Sequence, residues 1–234
     1  MSLTDKAMTR IRELIQTGKL PPGSKLPPEP QLAAELGVGR NIMREAVRAL
    51  VAARVLEVRR GSGTFVTSLE PRLLLEGIGE AVELLQGDTM LELTEVRRLF
   101  EPAATALAAT RITAGQLAEV KGHLEAMRAA MRDVELLNKH DAAFHRAVVA
   151  ATGNQTLSTV LDGISGRTVR ARVWRGLVDA DTHADVAGQT LREHEAIYAA
   201  LVSGDPLRAH AAAFMHVTTT ETWLREHLRE ELTA

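Results

Sequence analysis

Four side chains in the second half of the chain are of types that bind metal ions, and their spacing allows them to share one site. Asp141 and His145, in "DAAFHRAVVAAT", are four residues apart and lie on one face of a helix. His194 in "LREHEAIYAAL" and His216 in "AHAAAFMHVTTTETW" lie beside apolar residues of two later segments. Three imidazoles and one carboxylate from three helices can converge inside a helical bundle. Zinc, nickel, iron and manganese all accept such ligands, so the residue types do not select the metal.

The alternative is that these polar groups belong to an ordinary core. A single histidine on an apolar face is more often a hydrogen-bonded core residue than a ligand, and Asp141 with His145 can form a buried ion pair. The remaining histidines carry no such pattern and are assigned to structure or surface: His123, His140, His183, His210 and His227.

Helices are the elements that would position these residues. From residue 69 to the end, apolar residues recur with a helical period between short polar turns. The sequence therefore predicts an all-α helical bundle, with a Thr113 cap and Pro206 at a helix start. The predicted helices are 71–86, 93–111, 113–131, 133–152, 154–177, 187–204 and 206–228.

Charge separates the chain into two parts. Residues 1–67 contain 11 Lys and Arg against 6 Asp and Glu, whereas the whole chain has a net charge of −2, so the remainder is acidic. A basic first part predicts that only this part meets a polyanion. There is no cysteine, which excludes disulfides and thiolate metal sites and fits a reducing, cytoplasmic location. No apolar run has the roughly 20 residues of a membrane span, and the N-terminus lacks the apolar stretch of a signal peptide.

The basic part has the pattern of a winged helix-turn-helix. A first helix, with Thr4 as the expected N-cap, ends before "PPGSKLPPEP". Two helices then flank the turn Gly37–Gly39, and "RVLEVRRGSGTFVTS" predicts a β-hairpin wing. Such a fold meets DNA through its second helix and its wing. The predicted DNA-binding residues of that helix and the wing are Arg40, Asn41, Arg44, Arg48, Arg60 and Gly61.

The stretch "KLPPGSKLPPEPQLAAELGVGRNIMREAVRALVAARVLEVRRGSGTFV" resembles the DNA-binding domain of the GntR family of bacterial transcription regulators. The resemblance implies a homodimer that binds double-stranded operator DNA, with a repressor as the expected activity. Two positions depart from the family pattern: Pro30 stands where many relatives have Arg, and Gly39 where Ser or Thr is usual. Lys25 is therefore added to the predicted DNA contacts. The predicted domains are 1–68, the winged helix, and 69–234, the helical domain.

The helical part resembles the FCD ligand-binding domain of the FadR subgroup. "DAAFH" and the two later histidines match the metal pattern of that domain, so the resemblance implies a divalent metal, zinc first, on Asp141, His145, His194 and His216. It also implies a small carboxylate effector. Arg97, in the family element "RRLFE", is the expected effector-binding residue, because Arg binds carboxylates bidentately. Arg170, Arg172 and Arg175 are weaker candidates, for which a solvated helix face is the favoured interpretation. Trp174 fits a pocket wall and core packing equally well.

Two other functions use the same residues. Histidine and carboxylate ligands with open positions also occur in metal-dependent enzymes. A catalytic site needs a general base and a substrate channel, and the sequence indicates neither. Because the winged helix favours a DNA-binding protein, the prediction is that the chain is not an enzyme. A direct metal-responsive regulator is the remaining alternative, in which metal binding alone changes DNA binding.

Overall fold

The computed structural model describes residues 1–73, 89–165 and 183–231, and the chain divides into two units, Met1–Leu74 and Leu75–Ala234. The described elements of the first unit are α1 (Leu3–Gln16), α2 (Glu29–Leu36), α3 (Arg40–Ala52), β1 (Leu56–Arg59) and β2 (Gly63–Val66). Those of the second are α4 (Thr89–Ala109), α5 (Ala114–Ala129), α6 (Val134–Ala150), α7 (Gln155–Ser165), α8 (His183–Ser203) and α9 (Pro206–Glu231). The predicted fold class is confirmed: a winged helix precedes an all-α domain.

Helices α1, α2 and α3 enclose one apolar core in the first unit. The buried residues of α3 recur at spacings of three and four, so one face of this helix packs inward against Ile11 of α1 and Leu32 of α2. Leu56 and Val66 attach the hairpin to the same core. The opposite face of α3 is left exposed, and this orientation of α3 determines which side chains are available to a partner.

The predicted cap of α1 is wrong. The N-cap is Ser2, whose Oγ accepts the backbone N–H of Asp5 at 3.0 Å, while the Asp5 carboxylate accepts the N–H of Ser2 at 2.8 Å. This reciprocal capping box satisfies two N–H groups and starts the helix at Leu3, which places Thr4 inside the first turn. The backbone and side-chain hydrogen bonds from Ser2 lower the pKa of Asp5.

The wing is a short antiparallel hairpin, as predicted. Leu56 pairs with Val66 and Arg59 with Gly63, and the turn between the strands contains Arg60 and Gly61. Gly61 has a φ of +72°, a conformation that favours glycine. The tip of the wing therefore follows from the glycines of "GSG".

The second unit is a bundle in which α4 packs along α9, α5 along α6, and α8 against α9. Its largest core cluster includes Met127, Leu137, Phe144, Ile197 and Leu201. The Thr113 cap and the start at Pro206 are confirmed. Most of the predicted helix 71–86 and the second half of 154–177 lie outside the described residues. Within the described ranges, no helix combines the length and apolar composition needed to cross a membrane.

Candidate metal centre and DNA-binding surface

Three helices of the bundle bring the four predicted ligands into the interior. Asp141 and His145 lie one turn apart on α6, His194 lies on α8 and His216 on α9. Asp141, His194 and His216 are buried, and His145 is slightly exposed. Phe144 lies against His194, with ring centroids 4.6 Å apart, and forms an apolar wall. Helical periodicity predicted the inward face of each helix, and the packing of the three helices brings all four side chains into one region.

The inward-facing atoms are close enough to bind a single ion. His194 Nε2 is 3.0 Å from His145 Nε2 and 3.0 Å from Asp141 Oδ1, and the latter is 3.7 Å from His145 Nε2. The three histidines each offer a ring nitrogen within 4.8 Å of the others. Two ligand atoms that each lie about 2.1 Å from one ion, with a right angle at the ion, are about 3.0 Å apart. The observed distances therefore suit adjacent ligands of one ion.

Hydrogen bonds on the outer side of two rings determine which nitrogen faces the centre. His194 Nδ1 is 2.7 Å from the carbonyl of Thr190, and a carbonyl only accepts, so Nδ1 carries the proton. In the neutral ring the Nε2 lone pair then faces the Asp141 carboxylate, which is also an acceptor. Two lone pairs at this distance repel each other unless a cation lies between them. The chemistry of these donors therefore fits a metal ion.

His216 has the same arrangement. Its Nδ1 donates to Glu193 Oε2 at 2.9 Å, and its Nε2 is buried without a hydrogen-bond partner among the described residues. An unsatisfied buried polar atom costs about 1–3 kcal/mol, which an ion at Nε2 would offset. Burial lowers the pKa of His216, although the hydrogen bond to Glu193 opposes this shift, so the ring is held in the neutral, ligating form.

Glu193 is a part of the site that the sequence analysis missed. Burial raises the pKa of its carboxyl, but the hydrogen bond from His216, with bonds from Gln189 and Thr219, outweighs burial and leaves this pKa below its ordinary value. The ionised carboxylate orients His216, as outer carboxylates commonly do for metal-binding histidines. The only sequence clue was its position beside His194, which gave no indication that it faces α9.

Arg97 is 1% exposed and pairs with Glu101 on the next turn of α4, with Arg97 Nε 2.8 Å from Glu101 Oε1. The second oxygen of Glu101 is 3.8 Å from His145 Nδ1, beyond hydrogen-bonding distance. The predicted effector residue thus approaches the candidate centre through Glu101, whose role the sequence analysis also missed. The Arg-x-x-x-Glu spacing was the clue, since it places both residues on one helical face.

A cavity of about 220 Å³ opens beside this centre. Its described lining includes Glu101, His145 and Ser165, with Arg146 and Asp162 forming an exposed ion pair of 3.3 Å. Arg97 is not among the described lining residues. The weaker candidates Arg170, Arg172, Trp174 and Arg175 lie outside the described residues.

Three of the other histidines have described side chains. His123 and His140 meet across α5 and α6, with their Nδ1 atoms 3.4 Å apart, and His210 stacks on Phe214. Burial, with the charges of His123 and Lys139, lowers the pKa of His140. The side chains of His183 and His227 lie outside the described residues.

The exposed face of α3 carries a row of basic side chains. Arg40, Arg44 and Arg48 recur every four residues on this face, and Asn41 is also exposed. Arg44 Nε is 3.5 Å from Glu29 Oε2 on α2, which holds the guanidinium near the start of α3. Gly39 caps α3 without a side-chain hydrogen bond, so this end of the helix lacks a hydroxyl.

Lys25 extends along the wing. Its backbone forms an isolated antiparallel β-bridge with Phe65. Its side-chain Cε lies 2.8 Å from the position that a Cβ on Gly63 would occupy. A side chain at Gly63 would thus displace Lys25. Arg60 and Gly61 are exposed at the tip of the same hairpin. Lys25 therefore packs against strand β2 of the hairpin whose turn contains Arg60 and Gly61, while contact of these residues with DNA stays a prediction.

A winged helix with a basic α3, followed by a separate helical domain, defines the class of two-domain DNA-binding transcription regulators. Comparison with known proteins specifies the class. Residues 3–66 match "Bacterial regulatory proteins, gntR family" and residues 92–219 match "FCD domain". The chain belongs to the GntR family and to its subgroup with an FCD domain.

Relatives match over nearly the whole chain. The galactonate operon transcriptional repressor of Escherichia coli is 33% identical, covering 97% of this chain and 98% of that protein. The HTH-type transcriptional regulator LutR of Bacillus subtilis is 31% identical, covering 94% of this chain and 100% of that protein. The solved Streptococcus agalactiae GntR structure has a TM-score of 0.67 at 28% identity, covering 94% of this chain and 99% of that one. The protein is therefore a DNA-binding transcription regulator.

Proposed function

We propose that this regulator is a repressor whose affinity for operator DNA is controlled by a small organic acid bound at a divalent-metal centre. Asp141, His145, His194 and His216 would hold the ion. The observation that carries this proposal is the hydrogen bonding of two imidazoles to acceptors outside the centre. The Nδ1 atoms of His194 and His216 face acceptors outside, so their Nε2 lone pairs face inward, next to a buried carboxylate.

Zinc is the first choice for the ion, with nickel, iron and manganese as alternatives, because each accepts imidazole and carboxylate ligands. When bound, such an ion would supply open positions for the carboxylate of an organic acid. The protein's own residues prepare the site for it. Thr190 and Glu193 fix the imidazoles of His194 and His216, and Asp141 supplies negative charge.

The size of the neighbouring cavity supports a small effector. At about 220 Å³ it is below the range of about 300–1,000 Å³ common for drug-sized ligands. It borders His145, so an acid in this cavity would adjoin the centre. The relative that represses a galactonate operon makes galactonate the first acid to test.

Arg97 is proposed as the cation that recognises the acid. Its guanidinium is buried, and its Nε is engaged by Glu101, so the remaining guanidinium N–H groups would have to meet the carboxylate. Burial strengthens such a contact because the surroundings have a low dielectric constant.

The proposed switch is a homodimer with domains 1–68 and 69–234. Two copies of α3 would enter successive major-groove half-sites, and acid binding would change the packing of the bundle and the spacing of the two heads. A ligand shifts this equilibrium only by its difference in affinity between the two arrangements. The effector must therefore bind more tightly to the arrangement that leaves the operator.

The proposal is tested by Asp141→Ala with an operator fragment selected from a random DNA library. The variant should bind the operator but no longer respond to galactonate or another active acid in a gel-shift titration. Asp185→Ala, which changes an exposed residue in the first turn of α8, should respond like the parent. An unaltered response in Asp141→Ala would limit the centre to a structural role. If a chelator alone switches operator binding, the protein is instead a direct metal sensor.

A further inference from the structure

One pair of histidines lies outside the candidate metal centre. His123 on α5 and His140 on α6 bring their Nδ1 atoms to 3.4 Å from each other. Their rings are tilted by 37° with centroids 5.7 Å apart, so the rings do not stack face to face. Both side chains are partly exposed, and solvent can reach the pair.

We propose that His123 and His140 form a second, weaker zinc site that joins α5 to α6. Histidine is the commonest metal ligand in its neutral form. Two nitrogens at about 2.1 Å from a tetrahedral ion are about 3.4 Å apart. The observed distance equals this value, and it exceeds the distances at the first centre that suit a right angle.

Water and a nearby carboxylate can complete the four ligands that zinc prefers. Glu119 is exposed and lies one turn before His123 on the same helix, so its side chain can rotate towards the same ion. The positive charge of Lys139 acts on His140 and opposes a cation there. Two imidazoles, partial exposure and this charge make the second site weaker than the first.

An ion at this pair would connect two helices that already pack along one another. His140 immediately precedes Asp141, so the connection would restrain the part of α6 that carries the first centre. The second site is proposed independently of the effector, because it uses none of the four residues of the first centre.

The experiment is a zinc titration of the full-length protein against a chromophoric chelator. The wild-type protein should bind one zinc tightly and a second more weakly. In His123→Ala the weaker ion should be lost and the tight one retained. The control is His210→Ala, which removes an exposed histidine that stacks on Phe214 of α9, and this variant should keep both ions.

Amide hydrogen exchange gives a second measurement. Zinc beyond the first equivalent should slow exchange in α5 and α6 of the wild type but not of His123→Ala. Absence of a weaker ion in the wild type would reduce the pair to an imidazole hydrogen bond and overturn the proposal. Retention of that ion by His123→Ala would also overturn it.

Discussion

Replacement of Glu193 tests whether the outer carboxylate prepares His216 for a metal. His216 is buried and the Glu193 side chain is 13% exposed, and Nδ1 of His216 donates to Oε2 of Glu193 at 2.9 Å. A hydrogen bond to a charged group contributes about 1.5–3 kcal/mol, and loss of an outer partner commonly weakens metal binding about 10–100-fold. Glu193→Ala should therefore raise the metal Kd by about 10–100-fold.

Glu193→Gln separates the charge from the hydrogen bond. The amide oxygen can still accept from Nδ1, and a neutral hydrogen bond has about half the strength of a charge-assisted one. If Glu193→Gln loses half of the metal-binding free energy that Glu193→Ala loses, the metal Kd rises by about 3–10-fold. The graded order of wild type, Gln and Ala is the expected signature of an orienting carboxylate.

The assay is a competition titration with a chelating dye, using zinc and the full-length protein. Glu195→Ala is a matched control on the same helix, because Glu195 is exposed and pairs with Arg128 instead. Urea unfolding of the metal-free variants measures any loss of stability separately. In Glu193→Ala the buried Nδ1–H of His216 loses its acceptor, so the free energy of unfolding should fall by about 1–3 kcal/mol. A Glu193→Ala protein that is folded and binds zinc within about twofold of wild type would refute the reasoning.

Two further predictions concern the DNA-binding surface and the effector. Arg44→Ala should abolish specific operator binding in a gel shift, because Arg44 is exposed on the helix expected to read the bases. The helical content measured by circular dichroism should be unchanged. Unchanged affinity would show that this helix does not read the operator. Arg97→Lys should keep a positive charge beside Glu101 and should still bind zinc. Its sensitivity to the acid should fall by at least about tenfold, because Lys lacks the planar guanidinium that binds a carboxylate through two hydrogen bonds. Equal sensitivity in a thermal-shift titration would remove Arg97 from the effector site.

Local patterns in the sequence were sufficient for most of the fold. The three- and four-residue recurrence of apolar positions predicted the inward faces of α3, α6 and α8, because a helix turns by about 100° per residue. Gly61 and Gly63 predicted the wing, since the turn needs a positive φ there. The cap of α1 was misjudged because Ser2 and Thr4 both offer a hydroxyl, and only the geometry with Asp5 distinguishes them.

The candidate centre is determined by both the sequence and the tertiary structure. By itself, the sequence determined the residue types, their helices and the face on which Asp141 and His145 lie. Only the tertiary structure determined that Glu193 faces His216, that Glu101 pairs with Arg97 and lies near His145, and that Nε2 atoms point inward. It alone brought His123 to His140. The physical reason is that a helix specifies the directions of its own side chains, whereas contacts between helices depend on how the whole core packs.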